Sequence, residues 1–180
     1  MSTLLKTLDR AGHVTQQPPV WVGIAAALAL AGGRRGQQAA LRGSVCYTVA
    51  AVIANMLIKP LVRRPRPPEA GRGRIGPLTS SFPSGHAASD LAFVFGVAQE
   101  LPALFVPLAG GTLTAHWSLV RTRGHYLSDV LVGGAVGIAA ATAVRTLWPT
   151  KKGDTRWSST PATDPSWPPA VPSWPGHNSH

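Results

Sequence analysis

One cysteine, Cys46, occurs in the 180 residues, and it lies inside an apolar run. That excludes a disulfide framework and a cysteine-based metal site, leaving the thiol as a small packing residue. Charge is scarce too: Asp, Glu, Lys and Arg make up 13% of the chain, about half the usual share. Acids are the scarcest of all, seven against seventeen Lys and Arg, for a net charge of +10. A basic surplus is the footprint of many nucleic-acid binders. Here the cations sit in short clusters between apolar runs, and no nucleic-acid module is recognisable. Membrane flanks and a phosphate site account for them better. The N-terminus lacks both an adjoining apolar core and an Ala-x-Ala site, so no cleaved signal peptide is expected. Leu4, Leu5 and Leu8 with Lys6 and Arg10 make residues 1–17 an amphipathic segment suited to a membrane surface.

What the chain does have is apolar length. Val20–Ala31 is a run of about 12 residues, roughly 18 Å of helix, short for a crossing but extendable by its flanks. After a basic loop, Arg34-Arg35…Arg42, comes Gly43–Val62, then His86–Val97, Leu101–Val120 and Leu127–Trp148. Runs near 20 residues with so little charge predict an all-α fold, an integral membrane helical bundle of about five transmembrane helices. Small residues such as Gly133-Gly134-Ala135-Val136-Gly137 allow helices to approach closely in lipid. Residues 18–149 are taken as one membrane-embedded domain. Residues 150–180, rich in Pro, Ser and Trp and repeating Ser-Trp-Pro at 166–168 and 173–175, are expected to be a disordered tail.

Three polar clusters lie at the ends of these runs. The first is Lys59-Pro60-Leu61-Val62-Arg63-Arg64-Pro65-Arg66-Pro67, which combines a point charge with planar forks suited to phosphate oxygens. The second, Ser81-Phe82-Pro83-Ser84-Gly85-His86, reads as a helix start. Its first N–H groups lack intrahelical partners and its dipole favours an anion. The third is Gly124-His125-Tyr126-Leu127-Ser128-Asp129. Asp129 follows His125 by one helical turn, so the carboxylate can orient the imidazole and stabilise its cation. Asp90 stands in the same relation to His86, and such a pair would hold a proton on His86. Taken singly, these clusters read as a membrane-flanking loop, a helix start and a structural pair. If the connections alternate sides, however, the loops carrying all three emerge on one membrane face.

In that order and spacing the clusters resemble the type 2 phosphatidic acid phosphatase (PAP2) superfamily, whose signature is Lys-x6-Arg-Pro, Pro-Ser-Gly-His and Ser-Arg-x5-His-x3-Asp. Lys59, Arg66 and Pro67 match the first part, Pro83 to His86 the second, and Ser118, His125 and Asp129 the third. The resemblance covers about residues 20–148 and implies a PAP2/haloperoxidase-like helical core. It implies that His125 attacks phosphorus, that Asp129 orients its ring, and that His86 protonates the leaving oxygen. Lys59, Arg66, Ser84 and the Gly85 N–H would hold the phosphate oxygens, with no metal and no cofactor. The implied substrate is a lipid phosphate, phosphatidate or prenyl-linked, and the implied place is the cell membrane with an extracytoplasmic site. Counting cations alone favours an inward site, and the two faces balance once the site residues are discounted. Gly, Ala, Arg and Pro usage has the look of small actinobacterial members. Vanadate-dependent haloperoxidases share the signature, but they are larger and soluble, and the apolar runs argue against them. The chain departs from the signature at Leu119, where the family has arginine. Either Arg121 or Arg123 is expected to substitute, or the protein is a catalytically degenerate member that binds anionic lipid.

Overall fold

The computed structural model describes residues 18–67 and 80–150, which form five α-helices and no strand. The amphipathic N-terminal segment and the tail beyond Thr150 lie outside the described residues.

Helix α1 (Pro18–Ala31) opens on two prolines, tolerated where the N–H groups would have no partner anyway. It ends at Gly32-Gly33, where Gly33 takes a φ of +55° that other residues rarely adopt. The chain then enters α2 (Gly33–Val52), which continues as a π-helical turn, Ile53–Ile58. After the first signature cluster come α3 (Gly85–Glu100), a 3₁₀ turn (Pro102–Leu104), α4 (Phe105–Arg121) and α5 (Leu127–Leu147).

Helix α3 is the centre of the bundle. Its Ala88 and Ala92 pack with Cys46 and Ala50 of α2, Ala54 of the π turn, and Ala140, Ala141 and Val144 of α5. On its other side Phe93, Val94 and Val97 join Trp21 of α1. Such small side chains let the helix axes come close. A Cβ on Gly96 would meet Cys46 Sγ and Gly43 Cα, both at 2.9 Å, and one on Gly137 would run into the Ala88 carbonyl. Much of the outer surface is apolar, with Val22, Leu30, Met56, Leu113, Leu131 and Leu147 exposed. Among the described residues, three helical stretches are long and apolar enough to cross a membrane: Gly33–Ile58, Pro102–Arg121 and Leu127–Leu147. An apolar exterior around a small-residue interior is the packing expected of helices in lipid, and the chain is an integral membrane helical bundle.

Two boundaries differ from the sequence expectation. The stretch from Arg34 to Arg42 is the first part of α2 and not a basic loop. Gln37-Gln38-Ala39-Ala40-Leu41-Arg42 are good helix formers, and Arg42 turns inward. Its Nε donates to Glu100 Oε1 at 2.7 Å, and its guanidinium lies 4.5 Å from the Trp148 ring centroid. A buried arginine that is paired and stacked in this way ties α2 to the far ends of α3 and α5. The same run ends at Ile58 and not at Val62, because Pro60 cannot donate to the ladder and disfavours helix just before it.

Candidate active site

The C-terminal end of α2, the N-terminal ends of α3 and α5 and the turn after α4 meet at one end of the bundle. There they enclose a cavity of about 140 Å³ lined by Tyr47, Ala51, Asn55, Lys59, Arg66, Gly85, His86, Ser89 and His125. Residues from all three sequence clusters therefore share one space.

Lys59 reaches the cavity because the π turn places it directly after Asn55 on the helix face, and its Nζ donates to Asn55 Oδ1 at 2.6 Å. Asn55 packs so tightly on the α3 start that a Cβ on Gly85 would sit 2.5 Å from its Oδ1. A side chain at residue 85 would have to displace the Asn55 amide. Burial, and then the neighbouring Arg66, hold the Lys59 ammonium below the usual lysine value.

Ser84 is the N-cap of α3: its Oγ accepts the Ala87 N–H at 3.3 Å and its N–H donates to the Asp129 carbonyl at 2.9 Å. Ser84 is not among the residues lining the cavity, and its hydroxyl keeps its own proton for a further acceptor. His86 is exposed and lines the cavity. Asp90, expected to pair with it, faces the other way: its carboxylate lies 3.4 Å from His116 Nε2, with both residues buried. His86 and Asp90 are one turn apart, but Asp90 lies on the side of α3 turned towards α4.

His125 is buried, and its Nδ1 lies 3.0 Å from the Ser81 carbonyl. A carbonyl only accepts, so Nδ1 carries the proton and Nε2 presents its lone pair. Arg66 Nη1 sits 3.2 Å from that Nε2 and donates to the Gly124 carbonyl at 3.0 Å. Burial lowers the His125 pKa from its ordinary value, and the Arg66 charge lowers it further, with Asp129 opposing. Asp129 is fully buried, and its Oδ2 lies 3.6 Å from His125 Nδ1. Its closer partners are the Ser81 hydroxyl, the Tyr126 N–H at 3.1 Å and Arg64 Nη1 at 2.9 Å. Ser81 and Arg64, named in their clusters without a role of their own, and Asn55, outside every cluster, are the contributors that sequence reasoning did not assign. Asn55 had a signal, since it stands one turn before Lys59.

Leu119 is buried in the last turn of α4, and a Cβ on Gly124 would meet its Cδ2 at 3.2 Å. Arg121 and Arg123 are both exposed, Arg123 with a φ of 58°, and neither lines the cavity.

Residues 40–153 match the sequence profile of the PAP2 superfamily. The chain belongs to the PAP2 superfamily. No curated protein and no solved structure matches it. The match takes in every cluster that the fold brings to the cavity, and membership supports phosphatase-type activity at the level of the family.

Proposed function

We propose that this PAP2 protein is a metal-independent membrane phosphatase that hydrolyses a lipid phosphate or diphosphate through a phosphohistidine on His125. The observation that carries the reading is the single small cavity shared by Lys59, Arg66, His86 and His125. Phosphoryl transfer depends mostly on positioning and charge stabilisation, and these four side chains offer both. The incoming phosphate takes over the Arg66 guanidinium from His125 Nε2, which frees the lone pair. Nε2 then forms a bond to phosphorus as the bond to the leaving oxygen breaks, and His86 delivers a proton to that oxygen. In the second half, neutral His86 takes a proton from water, the water oxygen attacks phosphorus, and the P–N bond breaks to restore His125. Lys59, Arg66 and the Gly85 N–H at the helix start hold the equatorial oxygens, with Ser84 capping the helix that presents that N–H. The apolar exterior of the bundle supports a phosphate carried on a lipid, phosphatidate or a prenyl-linked phosphate. The cell membrane, with the site on its extracytoplasmic side, is the place this reading assigns.

The test is phosphate release by the detergent-purified protein from a panel of lipid phosphates, with and without EDTA. Release is expected to be insensitive to EDTA, inhibited by vanadate and abolished in His125→Ala. Complete dependence on added Mg²⁺ overturns the mechanism. Silence of the wild-type protein on every substrate favours the second reading, a degenerate member that binds anionic lipid. The buried Leu119 is the observation on that side.

A further inference from the structure

Arg64 belongs to none of the signature positions, yet its guanidinium touches the third cluster at three points. Its Nη1 donates to Asp129 Oδ1 at 2.9 Å and to Ser128 Oγ at 2.8 Å, and its guanidinium carbon lies 4.1 Å from the Tyr126 ring centroid. Its backbone grips the second cluster. The Arg64 carbonyl accepts the Ser81 N–H at 2.8 Å, and the Arg64 N–H donates to Ser80 Oγ at 3.2 Å. Ser81 in turn supplies the carbonyl that accepts from His125 Nδ1 and the hydroxyl that donates to Asp129. One residue thus fastens together the two groups that set the ring and protonation of His125.

Resting on the phosphatase reading above, we propose that Arg64 is a positioning residue for His125, acting through Asp129 and Ser81. Asp129 is fully buried, and among the described residues Arg64 is the arginine or lysine paired with it. A buried carboxylate without a cation is costly, and its unopposed charge acts on the nearest imidazole, 3.6 Å away. Arg64 cancels much of that charge, and its stack on Tyr126 and hold on Ser128 keep the start of α5 in place. The other ionisable groups around His125 are Arg66 and Lys59 of the first cluster, His86 of α3 and His116 of α4. None of these touches Asp129 in place of Arg64. Arg64 is itself 37% exposed in its side chain, so its contribution is charge and geometry at Asp129 more than burial.

The experiment compares wild-type protein, Arg64→Gln and Arg64→Lys in detergent micelles. The His125 titration is followed by NMR on histidine-labelled protein, with His125→Gln assigning the signal. Kinetics use a short-chain phosphatidate, and inorganic phosphate serves as competitive inhibitor. Arg64→Gln is expected to raise the His125 pKa by roughly half a unit or more and to cut kcat by about 10- to 100-fold. Its phosphate inhibition constant should stay within about twofold of wild type, because Arg64 is not among the cavity-lining residues. Arg64→Lys should recover most of the titration and part of the rate, since it restores the charge without the fork or the stack. An unshifted His125 titration in Arg64→Gln overturns the proposal, whether or not the rate falls. So does a loss of phosphate inhibition in step with the rate, which would make Arg64 a direct ligand. A wild-type protein inactive on all lipid phosphates overturns the phosphatase reading instead, and this is seen before any variant is compared.

Discussion

At His125 the surrounding cations govern the imidazole itself as well as any phosphate. A histidine nucleophile works only when unprotonated. Burial together with Arg66 lowers the His125 pKa from its ordinary value, so the neutral form persists into more acidic solution than a free histidine allows. In the free enzyme this places the acid limb of kcat/KM, corrected for the ionisation of the substrate, below about 6.5. A pH profile of the purified protein checks it, and a His125-dependent limb at or above that value contradicts the environment described here. The spacing of the signature made Lys59, Arg66, Gly85, His86, His125 and Asp129 legible as candidates, because its three clusters fall at or beside the ends of apolar runs. It did not show that Asp129 spends its nearest hydrogen bonds on Ser81, Tyr126 and Arg64. Nor did it separate Arg64 from Arg63: two adjacent arginines look alike in a basic loop, and only the fold turns one towards Asp129. Asp90 misled for the same reason, since a one-turn spacing permits a pair with His86 without choosing it over His116 on another helix.

Between elements, glycine decides how close the helices come. Each of the five apolar runs is a helix, but the run boundaries were less legible, because hydropathy does not show that Arg42 is satisfied inside by Glu100 and Trp148. Helix α5 sits so near α3 that a Cβ on Gly137 would strike the Ala88 carbonyl, a backbone atom that cannot swing away. Gly110 on α4 has nothing within 4 Å of the same position. Gly137→Ala is therefore expected to destabilise the protein by about 1–3 kcal/mol. Gly110→Ala, gaining helix propensity at no steric cost, should be neutral or slightly stabilising. Thermal-shift measurements on both variants in detergent make the comparison, and equal midpoints would mean that α3 and α5 are not packed this tightly. The same contact extends to the site, because Gly133, one turn nearer the cavity, packs on the carbonyl of Ser84.

Over the whole molecule, chemistry is concentrated at one end and the Arg42 clamp at the other. The central helix, Gly85–Glu100, rises roughly 22 Å, short of the roughly 30 Å apolar thickness of a bilayer, but the Gly33–Ile58 stretch is 26 residues long and apolar enough to cross, and a crossing there puts the two ends on different faces. The only cysteine in the chain, Cys46, is fully buried, so the native protein should be silent to thiol reagents and introduced cysteines can report each face. Thr122 lies in the exposed turn at the cavity end, and Gln37 is exposed near the start of α2 at the other. In intact cells a membrane-impermeant maleimide is expected to label Thr122→Cys and to leave Gln37→Cys unlabelled until the membrane is permeabilised. That outcome puts Lys59, Arg66, His86 and His125 outside the cytoplasm, where they meet lipid phosphates of the outer leaflet. The opposite labelling pattern places the cavity inside, and the substrate would then have to be a lipid phosphate exposed on the cytoplasmic leaflet.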